Sequence, residues 1–349
     1  MSHRTEVRLL ELPLVESLDT AHGTSGGTHR PLVVVGLTAG DVTGWGECAA
    51  LGAAGYTAET ARSAFELLSV GGAVDPARFP MAAAAMEMAG LDLDLRRAER
   101  SLAASLGVGR RDVPAGATVG LGPIAEVVDR VDRLVADGYR RVKLKIRPGH
   151  DADVLRAVRA RHPEVELQAD ANGTYDRGDL PALRALEEVG LTVIEQPVAV
   201  GNEAVARSLL ADESAVIVWD ESVRSRGDAA RLHDAGLLRG MSIKPGPLGG
   251  IDAAADLVVW AADRGVRIMV GGLLESGLGR HALAVLAALP GVDVVGDLSP
   301  AGRWLADDPW PDLVMREGRI QVPTTVGVAP LPDPERLDAA TIARSRARA

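Results

Sequence analysis

From residue 117 onward the chain repeats one unit: a short β-branched run, then an amphipathic stretch. Such alternation builds parallel strands joined by crossover helices. Eight runs carry it, at Ala117–Val119, Val142–Ile146, Val165–Asp170, Thr192–Glu195, Val216–Asp220, Met241–Lys244, Ile268–Val270 and Val294–Gly296, with seven helix-like segments between them. The segments AEVVDRVDRLVADG (125–138) and IDAAADLVVWAADRG (251–265) show the pattern, each with an apolar stripe at helical spacing and a terminal glycine. Eight strands suit a closed ring with helices outside it, a TIM-like barrel; an open doubly wound sheet would give the same alternation.

The first 112 residues follow another rhythm. An extended run (TEVRLLELPL), a Gly/Ser/Thr-rich loop, a second strand (LVVVGLTAG) and helical segments around 57–68 and 81–103 predict a smaller α+β domain. After the last barrel run, Pro- and Asp-rich sequence leads to a further strand, GRIQVPT, and a tail expected to return to that first domain. The expected division is a barrel over 113–305 and a capping domain over 1–112 plus 306–349.

Composition narrows the partners. With 47% hydrophobic and 25% charged residues the chain can fill a large core, and its net charge of −10 opposes binding to nucleic-acid phosphates or anionic lipid. Small-molecule partners fit better, and homo-oligomers are left open. The lone cysteine, Cys48, can form neither an internal disulfide nor a thiolate metal cage. Acidic residues occupy the first 20 positions where a secretory signal needs an apolar core, and no run of about 18 apolar residues follows, so a cytoplasmic protein is expected.

Catalytic groups of barrels project from the carboxyl ends of the strands. Here five successive strands end in one: Lys145 (with Lys143 two residues before), Asp170, Glu195, Asp220 and Lys244, at intervals of 25, 25, 25 and 24 residues. Singly, VKLKI reads as a half-exposed strand and a carboxylate after a strand as a helix cap. Together they form an acid trio flanked by amines. Three carboxylates meeting in a dry barrel mouth would repel one another and take up protons unless a cation joined them. Oxygen ligands without sulfur or imidazole favour Mg²⁺, with Mn²⁺ able to substitute. Lys145 and Lys244 lie four strands apart in a ring of eight and should face each other across that ion. Asn172 should follow Asp170 inward by strand alternation, whereas Glu221 should point to the other face as a supporting residue. A cation with two opposed amines suits removal of a proton alpha to a carboxylate, because the resulting enediolate needs concentrated positive charge. A lysine or histidine base with Mg²⁺ and an enediolate is the pattern already documented for the enolase superfamily.

These residues resemble that superfamily, in its muconate-lactonizing subgroup, and more narrowly the o-succinylbenzoate synthase / N-succinylamino acid racemase family. The matching pieces are GWGECAAL with GYTAET (44–60), VPAGATVG (113–120), KLKIRPG (143–149), QADANGTY (168–175), IEQP (194–197), WDES (219–222), IKPGPLGG (243–250) and GGLLESGLGR (271–280), nearly the whole chain. The resemblance implies a (β/α)7β barrel with a capping domain, Asp170, Glu195 and Asp220 as Mg²⁺ ligands, and Lys145 and Lys244 as the acid/base pair. It implies that Lys143 supports the substrate carboxylate, and that Thr118 and the segment holding Gly272, Leu273 and Glu275 line the pocket. Loops near 17–30 and 48–56 would close over the mouth; His22 and His29, in the first, read as solvated loop histidines.

Two reactions begin alike in this family. In the dehydration that forms o-succinylbenzoate, a step of menaquinone biosynthesis, Lys145 takes the alpha proton and returns it to the departing hydroxyl while Lys244 acts as a cation. In racemization of an N-acylamino acid both lysines exchange protons. Racemizing members commonly carry arginine three residues after the sixth-strand lysine, where this chain has Pro247, so the synthase is favoured. A dipeptide epimerase is disfavoured because GLLES stands where an Asp-x-Asp is usual. A non-catalytic scaffold would lack one of the charged residues, and none is missing.

Overall fold

The structure is a computed structural model that describes residues 4–20, 23, 24, 27–208 and 215–348. Its centre is a curled parallel sheet of seven strands in chain order: Gly116–Val119, Arg141–Lys145, Glu166–Asp170, Val193–Glu195, Val216–Trp219, Gly240–Ile243 and Arg267–Val270. Sequential order is what strand-helix units of one hand produce. Helices such as Ile251–Ala262 cover the sheet, burying Ile251, Ala254, Leu257, Val258 and Ala261, a spacing of three and four residues. Between the fourth and fifth strands the described residues form only a 3₁₀ turn, Glu203–Ser208, in place of the expected helix.

The eighth expected strand, Val294–Gly296, is reduced to a single parallel bridge from Val294 to Met269. Backbone bonds continue on both sides of it: Asp297 donates to Val270 O (3.2 Å) and Gly116 to Leu298 O (2.9 Å), so 294–298 lies between the seventh and first strands. The ladder is irregular because backbones crowd there. A Cβ on Gly296 would stand 1.9 Å from Val270 O, and one on Gly116 would stand 2.1 Å from Gly296 O. Glycine in a strand often marks such close approach.

Before the parallel sheet, Arg4–Pro13, His29–Ala39 and Val42–Cys48 form an antiparallel meander, and Thr341–Arg348 returns to pair with the first of them. The tail thus rejoins the amino-terminal residues. The apparent strand in GRIQVPT is Arg319–Gln321, which pairs with Asp112–Pro114. Helix Pro80–Arg97 lies on Val42–Cys48, with Ala82, Ala85 and Ala89 buried. Gly44 and Gly46 permit this contact, since their Cβ atoms would fall 2.3 Å from Ala89 O and 1.9 Å from Ala85 O. Asp92 then fastens the helix, accepting from the backbone N–H of Trp45 (2.8 Å) and Val328 (2.7 Å) and from Arg96 Nε (2.8 Å). No helix among the described residues is long and apolar enough to cross a membrane.

The Gly46→Ala variant should lose about 1–3 kcal/mol, because its methyl group meets helix backbone that no rotamer change can clear. Chemical denaturation measures this; a midpoint equal to that of the parent would mean that strand and helix separate freely.

Candidate active site

Parallel register sets the first part of the site. Lys145 pairs with Asp170 and Asp170 with Glu195, so these three strand-end residues form one row across adjacent strands. Asp220 and Lys244 follow immediately after the fifth and sixth strands. All five are largely buried, and four of them, all except Glu195, line a cavity of about 430 Å³ together with Lys143, Thr118 and Asn172. Glu195 lies beneath it with no exposed surface.

The amines bind the acids directly. Lys145 Nζ donates to Asp170 Oδ2 (2.7 Å) and Asn172 Oδ1 (2.8 Å), and Lys244 Nζ to Asp220 Oδ2 (2.7 Å). Lys143 Nζ donates to Glu195 Oε2 and to Asp297 Oδ2 (2.6 Å), and stands 3.5 Å from Asp170 Oδ2. Burial pulls the Lys143 ammonium down, but Asp297, Glu195 and Asp170 outweigh it and the net shift is upward. Burial likewise pushes Asp170 up, yet Lys145 and Lys143 hold it at about 2. Glu195 is pushed up to about 8, by burial and by Asp170, Asp220 and Asp297, against Lys143.

As placed, no three His, Cys, Asp or Glu side chains among the described residues are drawn together as a metal cage. The donor set nonetheless has the chemistry of a hard-cation site, since three consecutive strands each lead to an acid and Glu195 Oε1 is buried with no hydrogen-bond partner. Such an oxygen is costly unless something binds it.

Asn172 reaches the cavity in a left-handed backbone conformation (φ 44°), its N–H donating to Asp170 Oδ1 (3.0 Å). Its Nδ2 donates to Glu221 Oε1 (3.1 Å). Glu221 therefore supports the site through Asn172, a reach that simple strand alternation does not anticipate. Gly272 and Leu273 line the cavity as expected. Glu275 does not; its carboxylate accepts from Leu273 N–H (2.6 Å) and faces Arg280 Nε at 3.5 Å, which turns it into its own loop. His29 is exposed and bonds Thr28 Oγ1, and His22 lies outside the described residues.

Two participants escaped the sequence reading. Asp297 accepts from Thr118 Oγ1 (3.0 Å), Arg141 (2.7 Å) and Lys143, and it is held well below the usual carboxylate range although burial alone would raise it. The signal was present, since Asp297 directly follows the eighth β-branched run. Tyr56, within GYTAET, donates its hydroxyl to Asp220 Oδ1 (2.8 Å) and accepts from Lys244 Nζ (3.1 Å), with Arg224 stacked 4.0 Å above its ring. A loop tyrosine carries no strand-end signature.

Leu18, Thr20 and residues 51–56 line the mouth side of the cavity. Buried Arg30 ties this side together, donating to Ala49 O, Ala50 O (2.8 Å), Leu273 O (2.9 Å) and Leu274 O (3.3 Å). Glu47 adds a second tie by accepting from Ser276 N–H (3.1 Å) and from the Ser276 hydroxyl.

Residues 126–336 match the family described as enolase C-terminal domain-like. The chain belongs to the enolase superfamily. It is 37% identical to N-succinylamino acid racemase of Amycolatopsis sp over 97% of each chain, and 34% identical to o-succinylbenzoate synthase of Geobacillus stearothermophilus over 92% of this chain and 91% of that one. Among solved structures, a probable mandelate racemase from Alicyclobacillus acidocaldarius superposes with a TM-score of 0.88 at 33% identity, covering 100% of this chain and 99% of that one.

In this superfamily member Asp297 is a load shared by two cations, so Asp297→Asn should cost about 3–5 kcal/mol at neutral pH by leaving Lys143 and Arg141 undercompensated. Because the folded carboxyl titrates below its unfolded value of about 3.9, its contribution is complete above that pH and disappears as the pH falls through the folded value. Denaturant titrations should therefore show a gap between parent and variant that is constant near neutrality and closes in acid; a gap that widens in acid would remove Asp297 from the charge balance.

Proposed function

We propose that this chain is a Mg²⁺-dependent enzyme, with Mn²⁺ able to substitute, that removes the proton alpha to a carboxylate. Its favoured reaction is dehydration of 2-succinyl-6-hydroxy-2,4-cyclohexadiene-1-carboxylate to o-succinylbenzoate, in menaquinone biosynthesis. The reading rests on one observation: Lys145 and Lys244, from the second and sixth strands, line one cavity and each holds an acid of the row between them. In this reading 113–305 is a (β/α)7β barrel, closed through 294–298, and 1–112 with 306–349 is its capping domain.

Asp170, Glu195 and Asp220 would hold the ion, which when bound supplies the Lewis-acid charge that steadies the substrate carboxylate as its alpha proton leaves. Lys145, as the neutral amine with its former proton released to solvent, takes that proton at Nζ. It then protonates the departing hydroxyl as the carbon–oxygen bond breaks, and water is released. Lys244 stands as a cation on the other flank, fixed by Asp220 and Tyr56. Lys143 supports the carboxylate end, and Thr118, Asn172, Gly272 and Leu273 shape the remaining wall.

Racemization of an N-succinyl or other N-acylamino acid is the second reading, favoured by the Amycolatopsis relative and by the presence of two amines. Against it, Pro247 is buried three residues beyond Lys244 and brings no cation to that lysine. The deciding experiment offers purified protein and Mg²⁺ both substrates, following aromatic product by absorbance and racemization by chiral chromatography. Dehydration should dominate; efficient racemization with no dehydration reverses the order. Lys145→Ala should lower turnover by about 10³-fold with an unchanged circular dichroism spectrum, and preserved turnover would remove Lys145 from the chemistry.

A further inference from the structure

Gln196 follows Glu195 and adopts a left-handed backbone conformation, φ 38°, that a side chain of this kind seldom occupies. Such conformations persist where the surroundings over-determine them. Here the surroundings are explicit. The side chain is 1% exposed, and its amide spends every polar atom on a neighbouring strand end. Oε1 accepts from the backbone N–H of Asp220 (3.0 Å) and of Ser222 (3.2 Å), while Nε2 donates to Val198 O (2.9 Å) and Ser222 Oγ (2.8 Å). Its main chain is engaged as fully, with N–H donating to Val218 O (2.8 Å) and C=O accepting from Gly173 N–H (2.7 Å).

One residue thus joins the loops that follow the third, fourth and fifth strands, directly beyond Asp170 and Glu195 and at Asp220. The chemistry requires an amide. A carboxylate would offer no donor to Val198 O, and a hydrocarbon would leave the buried N–H of Asp220 without an acceptor.

We infer that Gln196 is the positioning residue that sets the spacing between the Glu195 and Asp220 carboxylates, and through it the affinity for a divalent cation. The inference rests on the function proposed above. Gln196 does not line the cavity; it acts through the backbone of Asp220. Groups that orient ligands in this way commonly change metal affinity by roughly 10–100-fold when removed.

The test is a calorimetric titration of Mn²⁺ into the full chain, the parent against Gln196→Met, with melting of the metal-free proteins in parallel. The expected result is binding weakened roughly 10–100-fold, with the metal-free variant folded but melting lower because the N–H groups of Asp220 and Ser222 lose their acceptor; Gly46→Ala, destabilised far from the site, should bind Mn²⁺ as the parent does, a split that general loosening of the fold would not give. An affinity within about twofold of the parent overturns the inference. Should Gln196→Met fail to fold, Ser222→Ala, which deletes one partner of the amide, decides instead: weaker Mn²⁺ binding supports the inference and unchanged binding overturns it. A parent that binds no Mn²⁺ removes the proposed function and this inference together, whereas a parent that binds and variants that match it remove the inference alone.

Discussion

Three carboxylates, Asp170, Glu195 and Asp220, are buried at the ends of parallel strands with a fourth, the half-buried Asp297, beside them, and the cations of the site answer to their charge. Buried anions must be paired or protonated. Lys143 sits among three of them, Lys145 and Lys244 take the outer members of the trio, and Arg141 shares Asp297 with Lys143. Glu195, innermost, has one oxygen that nothing satisfies and is the acid pushed upward. The same arrangement that balances charge leaves an incentive to admit one more cation.

Parallel register supplies the geometry at little cost in sequence. Because neighbouring strands align residue for residue, a polar side chain at the same level of consecutive strands needs only regular spacing to become a row. What register cannot supply is the conformation just beyond each strand. There the chain uses residues in the left-handed region: Asn172 and Leu274, which line the cavity, and Gln196, which directly follows Glu195. Strain of this kind is concentrated where side chains must be aimed rather than merely buried.

This division explains what could be read from the amino-acid sequence. Seven of eight strands and the strand-end lysines and acids were legible because hydrophobic period and spacing encode them directly. The eighth strand was overcounted: Val294–Gly296 has the composition of a strand, but Gly296 is pressed against Val270 O and cannot ladder normally. Glu275 was misplaced because its neighbours in GGLLES do face the cavity while its own carboxylate is taken by Leu273 N–H. Tyr56 was not singled out, although its loop was expected to close over the mouth, because its bonds to Asp220 and Lys244 join residues that no local pattern relates.

Arg30 carries a consequence of that folding across. By bonding carbonyls at 49–50 and at 273–274 it makes one wall of the pocket from two stretches more than 200 residues apart in sequence. Neither stretch can shift without breaking bonds to the other. Transplanting either stretch from a relative would then mean moving both with their shared guanidinium, so this wall should change by paired rather than single loop exchange.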